Sequence, residues 1–194
     1  MRVKTVALIV AGFAACALNL APAGAAEPTA AGLWQNLNEA GQPDGWFLIM
    51  ERNGTYEGLI ARMFLKPGED PNALCTRCTD DRKDKPWLGL PLIRGMKQQG
   101  LNYEDGNILD PRNGTVYRAL MRLSPDGQTL TVRGFLGFAL FGQDQTWKRL
   151  PETAMKELDP AVRAKFLPAP AAPAPPPRPA ARPNASPKSG EAPR

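Results

Sequence analysis

Apolar and polar positions alternate along the middle of the chain in short runs, each closed by a cluster of Gly, Pro, Asn or Asp. In 115–123, Tyr117, Ala119, Met121 and Leu123 share one face and Arg118 and Arg122 the other. In 128–137, Leu130, Val132, Gly134 and Leu136 oppose Thr129, Thr131 and Arg133. A period of two is that of a half-buried antiparallel strand. Similar strand-like runs occupy 32–37, 45–52, 55–65, 87–97, 106–109 and 144–150. Asn53-Gly54 is a strong two-residue hairpin signal, and Pro91 suggests an edge or a bulge. About eight short strands joined by tight turns predict an all-β antiparallel barrel or sandwich, and closure favours the barrel because it removes exposed edges.

After the last strand the period changes. Met155, Leu158, Val162 and Phe166 are spaced by three, four and four. Asp159 fits an N-cap with Pro160 at the first helical position. The pattern predicts a short, broken helix over 151–167, lying on the barrel wall. The barrel itself is expected over 27–150.

The two ends differ from this body. "MRVK", an apolar run and "APAGAAE" follow the order of a secretory signal peptide, with cleavage expected after Ala25 or Ala26. A membrane anchor and lipid attachment at Cys16 are the alternatives. No transmembrane span is expected once the leader is removed. Residues 168–194 are Pro- and Ala-rich with scattered cations, a composition expected to stay disordered and near polyproline II. This segment reads as a solubilising tail, or as a tether to an anionic envelope polymer or another partner. The formal charge of +5 belongs to these ends, because residues 27–167 carry 18 basic and 18 acidic side chains. The charge is therefore no argument for nucleic-acid binding.

The motifs occur in a recognisable order: a leader, G-x-W, N-G-x-Y-x-G, C-x-x-C followed by G-L, "ILDPRNGTVY", "VRGFLG" and "QTWKR". Over about residues 30 to 150 this resembles the bacterial secreted family called domain of unknown function 2147. That resemblance implies a lipocalin-like barrel in the periplasm or outside the cell, and it brings no established activity. It also implies that Trp34 on the first strand is covered by Arg149 at the end of the last, a barrel-closing pair strengthened by cation–π attraction.

The chemistry on offer is sparse. The chain has no histidine, which removes Ser-His-Asp and Cys-His arrangements and imidazole zinc sites. Ser124 lies in a turn and the other two serines in the tail, so no serine nucleophile is expected. Glu51, Glu57, Glu104, Asp105 and Asp110 are more simply surface acids paired with Arg and Lys than a glycosidase pair. Asp110, Pro111, Asn113 and Gly114 read as a structural turn, with Asn113 and Gly114 accepting positive φ. "DDRKDK" (80–85) reads as a solvated loop that compensates its own charge.

Cys75 and Cys78 are the two cysteines that remain after the leader. An oxidising compartment favours a disulfide between them, provided the segment turns back on itself. A redox centre, or a metal completed by a second chain or by carboxylates, remains open. No cofactor or metal is expected. Trp46, Phe47, Tyr56, Met121, Phe138 and Phe141 are candidates to line a ligand cavity, with 135–142 as an apolar rim or lid. The reading is a carrier of a small apolar or amphipathic ligand, without catalysis. Its alternative is an envelope interaction protein with a solid barrel and a basic tail.

Overall fold

The structure, a computed structural model, describes residues 27–167. The expected leader, Cys16 and the Pro-rich tail lie outside the described residues. The eight strands are β1 (Gly32–Leu37), β2 (Pro43–Arg52), β3 (Thr55–Met63), β4 (Pro91–Gln99), β5 (Asn102–Asp110), β6 (Thr115–Leu123), β7 (Thr129–Phe135) and β8 (Gln143–Arg149). Each pairs antiparallel with its sequence neighbour, and β8 returns to β1, so the sheet is a closed up-and-down barrel.

The sequence pattern and the strands agree over most of the clean alternation, although β7 ends at Phe135 and Leu136 is exposed beyond it. Ala119, Met121, Leu123, Leu130 and Val132 are all buried. Asn53 and Gly54 both take positive φ in the β2–β3 turn, as the hairpin signal requires. Agreement fails where the backbone is irregular. The sequence places the start of β5 at residue 106, because "YEDG" has the composition of a turn, but the strand begins at Asn102. Asp105 takes a positive φ of 63° there, and the register with β6 shifts between Tyr103 and Gly106, so the strand bulges without ending. β4 starts at Pro91, since Trp87 to Leu90 belong to a turn. In a closed barrel Pro91 has no free edge to occupy, and it sits where the β3–β4 register slips at Gly58 and Leu59.

One end of the barrel is packed solid. Trp34, Tyr103 and Trp147 are fully buried, together with Ala30, Leu123 and Leu130. Tyr56 meets Tyr103 edge to face at 4.8 Å, and the Tyr103 hydroxyl accepts from Ala30 N at 2.8 Å. The Trp34 indole donates to Ala30 O at 2.8 Å. Arg149 lies across from Trp34 in the β1–β8 register, with its guanidinium carbon 4.2 Å from the indole centroid. The same guanidinium donates to the carbonyls of Gly127, Ala31 and Thr29. Burial lowers its pKa, yet five donors in a planar fork are suited to several carbonyls at once.

A second apolar layer lies outside the wall of β1–β3. Helix α1 (Pro160–Phe166), with the 3-10 turn Glu152–Glu157 before it, brings Ala154, Leu158 and Val162 against Leu33, Trp46, Leu48, Leu59 and Ala61. The Asp159 carboxylate caps the helix by accepting from Ala161 N at 2.7 Å. This is the broken C-terminal helix that the change of period indicates.

Arg149→Lys should lower the urea-unfolding midpoint, by about 2–4 kcal/mol of stability, because an ammonium cannot serve three carbonyls and an indole face together. An unchanged midpoint would remove the pair from its closing role.

Candidate functional site: a cavity at the open end

The opposite end of the barrel is hollow. It carries the β1–β2 connection, the long β3–β4 connection, the β5–β6 turn and the β7–β8 connection. Between them lies a cavity of about 620 Å³. Its floor is a stacked aromatic pair, Phe47 on Trp147, with centroids 4.3 Å apart and planes 13° from parallel. Ile60, Met63, Leu92, Ile108 and Leu109 supply apolar wall. Asn36, Tyr117, Gln143 and Gln145 add neutral polar groups, and the Gln145 amide oxygen accepts from the Trp147 indole at 3.1 Å. Asp44, Lys66, Glu69, Asp70 and Arg112 are exposed charges around the mouth.

The size and lining suit one small ligand with an apolar body and a few polar groups. Some of the nearby charged groups are already engaged. Asp110 holds Arg112 with a contact of 3.0 Å, and Glu69 accepts from Lys66 N at 2.9 Å. Trp87 also lines the cavity, and its indole nitrogen is buried with no partner among the described residues.

Of the six residues singled out from the sequence as lining candidates, the structure places only Phe47 in the cavity wall. Trp46, one position along β2, faces outward, donating to Gln35 at 3.0 Å beneath the C-terminal helix. Tyr56 and Met121 point inward but belong to the solid end. Phe138 and Phe141 are 77% exposed in the β7–β8 connection and do not line the cavity. The residues that sequence reasoning missed are mainly Trp147, Ile108 and Tyr117. Trp147 carried a signal, since it falls two positions before Arg149 and so shares its inward face.

The cysteines and the Asp110 turn meet at this end. Cys75 and Cys78 form a disulfide with Cα atoms 5.4 Å apart, and the segment turns back through Cys78 N donating to Cys75 O at 3.2 Å. Both cysteines are buried against Ile60, Leu90, Leu92 and Leu109. Cys75 Sγ lies 3.7 Å from Pro111 O. Gly114, at φ 76°, packs so closely on this loop that a Cβ would lie 2.0 Å from Arg77 O. Asp110 O accepts from Gly114 N at 2.8 Å, and the Asp110 carboxylate accepts from Arg112 N at 3.0 Å. Asn113 differs from the expectation: its φ is not positive, because its amide oxygen instead accepts from Thr115 N at 2.8 Å. The two motifs are thus halves of one joint that fixes the rim.

The charged run 80–85 is also more than a solvated loop. Asp81, Lys83, Asp84 and Lys85 are exposed, but Arg82 is 2% exposed. Its guanidinium donates to the Asp80 carboxylate at 2.6 Å and to Pro91 O at 3.1 Å, tying the loop to the start of β4. That hydrogen bond lowers the Asp80 pKa from 3.8 to about 2.

A family described as "uncharacterized protein conserved in bacteria (DUF2147)" matches residues 32–149. The chain belongs to this family. Its matched span runs from the first residue of β1 to the last of β8. Among solved structures, protein HP1028 from Helicobacter pylori is similar to this DUF2147 chain, and its structure is described as belonging to the lipocalin family. The match has a TM-score of 0.58 at 15% identity, and covers 68% of this chain and 91% of that one. The likeness establishes a lipocalin-like fold. No curated protein matches the chain.

Two substitutions test the rim. Gly114→Ala should destabilise the barrel by about 2–4 kcal/mol in urea unfolding, combining a left-handed backbone with an overpacked joint. Asp80 has a lowered folded pKa, so its contribution is whole above about pH 4 and is lost as pH falls toward about 2. Asp80→Asn should therefore lower the midpoint at pH 7 and flatten its decline over that window. Equal midpoint-against-pH curves for the two proteins would count against the Arg82 anchor.

Proposed function

We propose that this DUF2147 protein binds a small apolar or amphipathic ligand in its open-end cavity, without turning it over, in the periplasm or outside the cell. The cavity of about 620 Å³ carries the proposal. Core packing fills voids wherever it can, so a hollow that keeps an aromatic floor and a polar fringe fits a resident molecule better than it fits a structural core. The stacked Phe47 and Trp147 offer a flat surface to an apolar body. Asn36, Gln143 and Gln145 offer hydrogen bonds to a neutral polar group.

Two features of the chain support binding without catalysis. The chain has no histidine, and the Asp110 carboxylate at the cavity wall is held by Arg112. A general acid or base needs a proton-transfer group free to reach the substrate, and this carboxylate is already committed. The periplasmic or secreted location rests on the leader-like N-terminus and on a disulfide suited to an oxidising compartment.

The expected result is that N-phenylnaphthylamine, a neutral apolar fluorophore, binds with a rise in its emission and a change in tryptophan fluorescence. Ile108→Trp, which fills the hollow from its wall, should weaken that binding about tenfold while the barrel keeps its circular dichroism spectrum. Native mass spectrometry of protein from its own host should show an added mass that the same substitution removes. Dye binding that is indifferent to Ile108→Trp would place the site elsewhere.

A further inference from the structure

The exposed apolar side chains are not scattered. Among the described residues, the exposed large hydrophobics are Leu37, Leu65, Leu74, Val116 and the group Leu136, Phe138, Leu140 and Phe141. All eight lie on connections or strand ends at the open end of the barrel, and none at the solid end. The last four form a knuckle within six residues, and Phe138, Leu140 and Phe141 are 77–81% exposed. From Gly134 to Gln143 there is no charged residue. Contiguous apolar exposure of this kind marks an interaction surface.

The knuckle is held outward by the fold. Arg133 on β7 donates to Ala139 O at 2.8 Å and to Leu140 O at 3.4 Å, while pairing with Asp144 on β8 at 2.7 Å. A 3-10 turn is closed by Phe141 N donating to Phe138 O and Gly142 N to Ala139 O. Gly142 lets the loop fold back, since a Cβ there would lie 2.8 Å from Gly134 O. The charge that could spoil an apolar tip is therefore spent on the loop's own carbonyls and on Asp144.

We infer that the open end docks on a lipid surface, with Phe138, Leu140 and Phe141 inserted among the headgroups and acyl chains. Three features favour lipid over a second copy of the chain. The most exposed residues, Phe138, Leu140 and Phe141, keep more than three-quarters of their surface free of the rest of the fold, which suits insertion into a fluid layer. The lesser ones, Leu37, Leu65 and Val116, are spread around one end, as a planar contact requires. Beyond Leu167 the sequence also carries Arg178, Arg182, Lys188 and Arg194 against one acid, Glu191, a cationic complement to anionic headgroups. An apolar insertion plus a basic segment is the two-signal combination that gives stable membrane association. Gly134 and Gln143, which flank the knuckle, also line the cavity, so docking would bring the cavity mouth to the membrane. The inference stands whether or not the cavity holds a ligand.

The test is flotation of the processed protein with vesicles of phosphatidylcholine containing about one-third phosphatidylglycerol, at low and high salt. The protein should float with the vesicles, and added salt should weaken the association without abolishing it. The triple variant Phe138→Ser, Leu140→Ser, Phe141→Ser should lose association about tenfold or more, with an unchanged urea midpoint and unchanged N-phenylnaphthylamine binding. No flotation, or flotation indifferent to the triple variant, would overturn the proposal. A dimer in size-exclusion chromatography that the triple variant converts to monomer would overturn it too, by assigning the knuckle to a second copy.

Discussion

The meeting of the first strand with the last is the constraint on which the rest depends. Only Trp34, Gln35 and Asn36 pair with β8, so the seam is short and stands at one end of the barrel. Arg149 strengthens it by spanning Trp34 and three carbonyls from two stretches of chain, Thr29 and Ala31 before β1 and Gly127 in the β6–β7 turn. Beyond Asn36 the partner rows part, and Gln143 and Gln145 line the hollow. Closure at one end and opening at the other are thus two consequences of one short seam.

A hollow of this size would be expected to collapse unless its walls were held from outside. Here the holding is done by three separate devices. The helix and 3-10 turn brace β1–β3 from the solvent side. The disulfide and the Asp110 turn lock the long connection to the β5–β6 end, and Arg82 ties the same connection to the start of β4. A disulfide across so few residues contributes little by restricting the unfolded chain. Its weight here lies in shaping the loop that packs under Gly114.

The fold was legible in the sequence because alternation, turn chemistry and capping all pointed one way. Tyr117 to Leu123 displayed its two faces, Asn53-Gly54 its hairpin, and Asp159-Pro160 its helix start. The bulge at Tyr103–Gly106 was hidden because a positive-φ aspartate beside glycine has the composition of a turn whether or not a strand continues through it. The cavity was less legible. Hydrophobic residues facing a hollow and those facing a packed core have the same composition, so Tyr56 and Met121 looked like Ile108 and Tyr117. Only the depth of each position along its strand separates them, and depth depends on register. Arg82 was hidden differently, since its neighbours are solvated charges and one sharp turn carries it alone into the interior.

Trp46 and Phe47 condense the logic of the molecule. They are adjacent and both aromatic, and the pleat sends them to opposite sides of β2. Trp46 packs outward with Phe64 and beneath the guanidinium of Arg62, which Glu157 anchors at 3.0 Å. Phe47 turns inward to stack on Trp147. One strand therefore connects the brace on the outside to the floor of the hollow on the inside. A shift of β2 by a single residue would exchange the two and lose both. The register shift between Trp46 and Phe47 against β3 lies at this step, where the barrel passes from its solid half to its open one. Rigidity and emptiness are built from the same strand, because alternation lets each residue serve the side it faces.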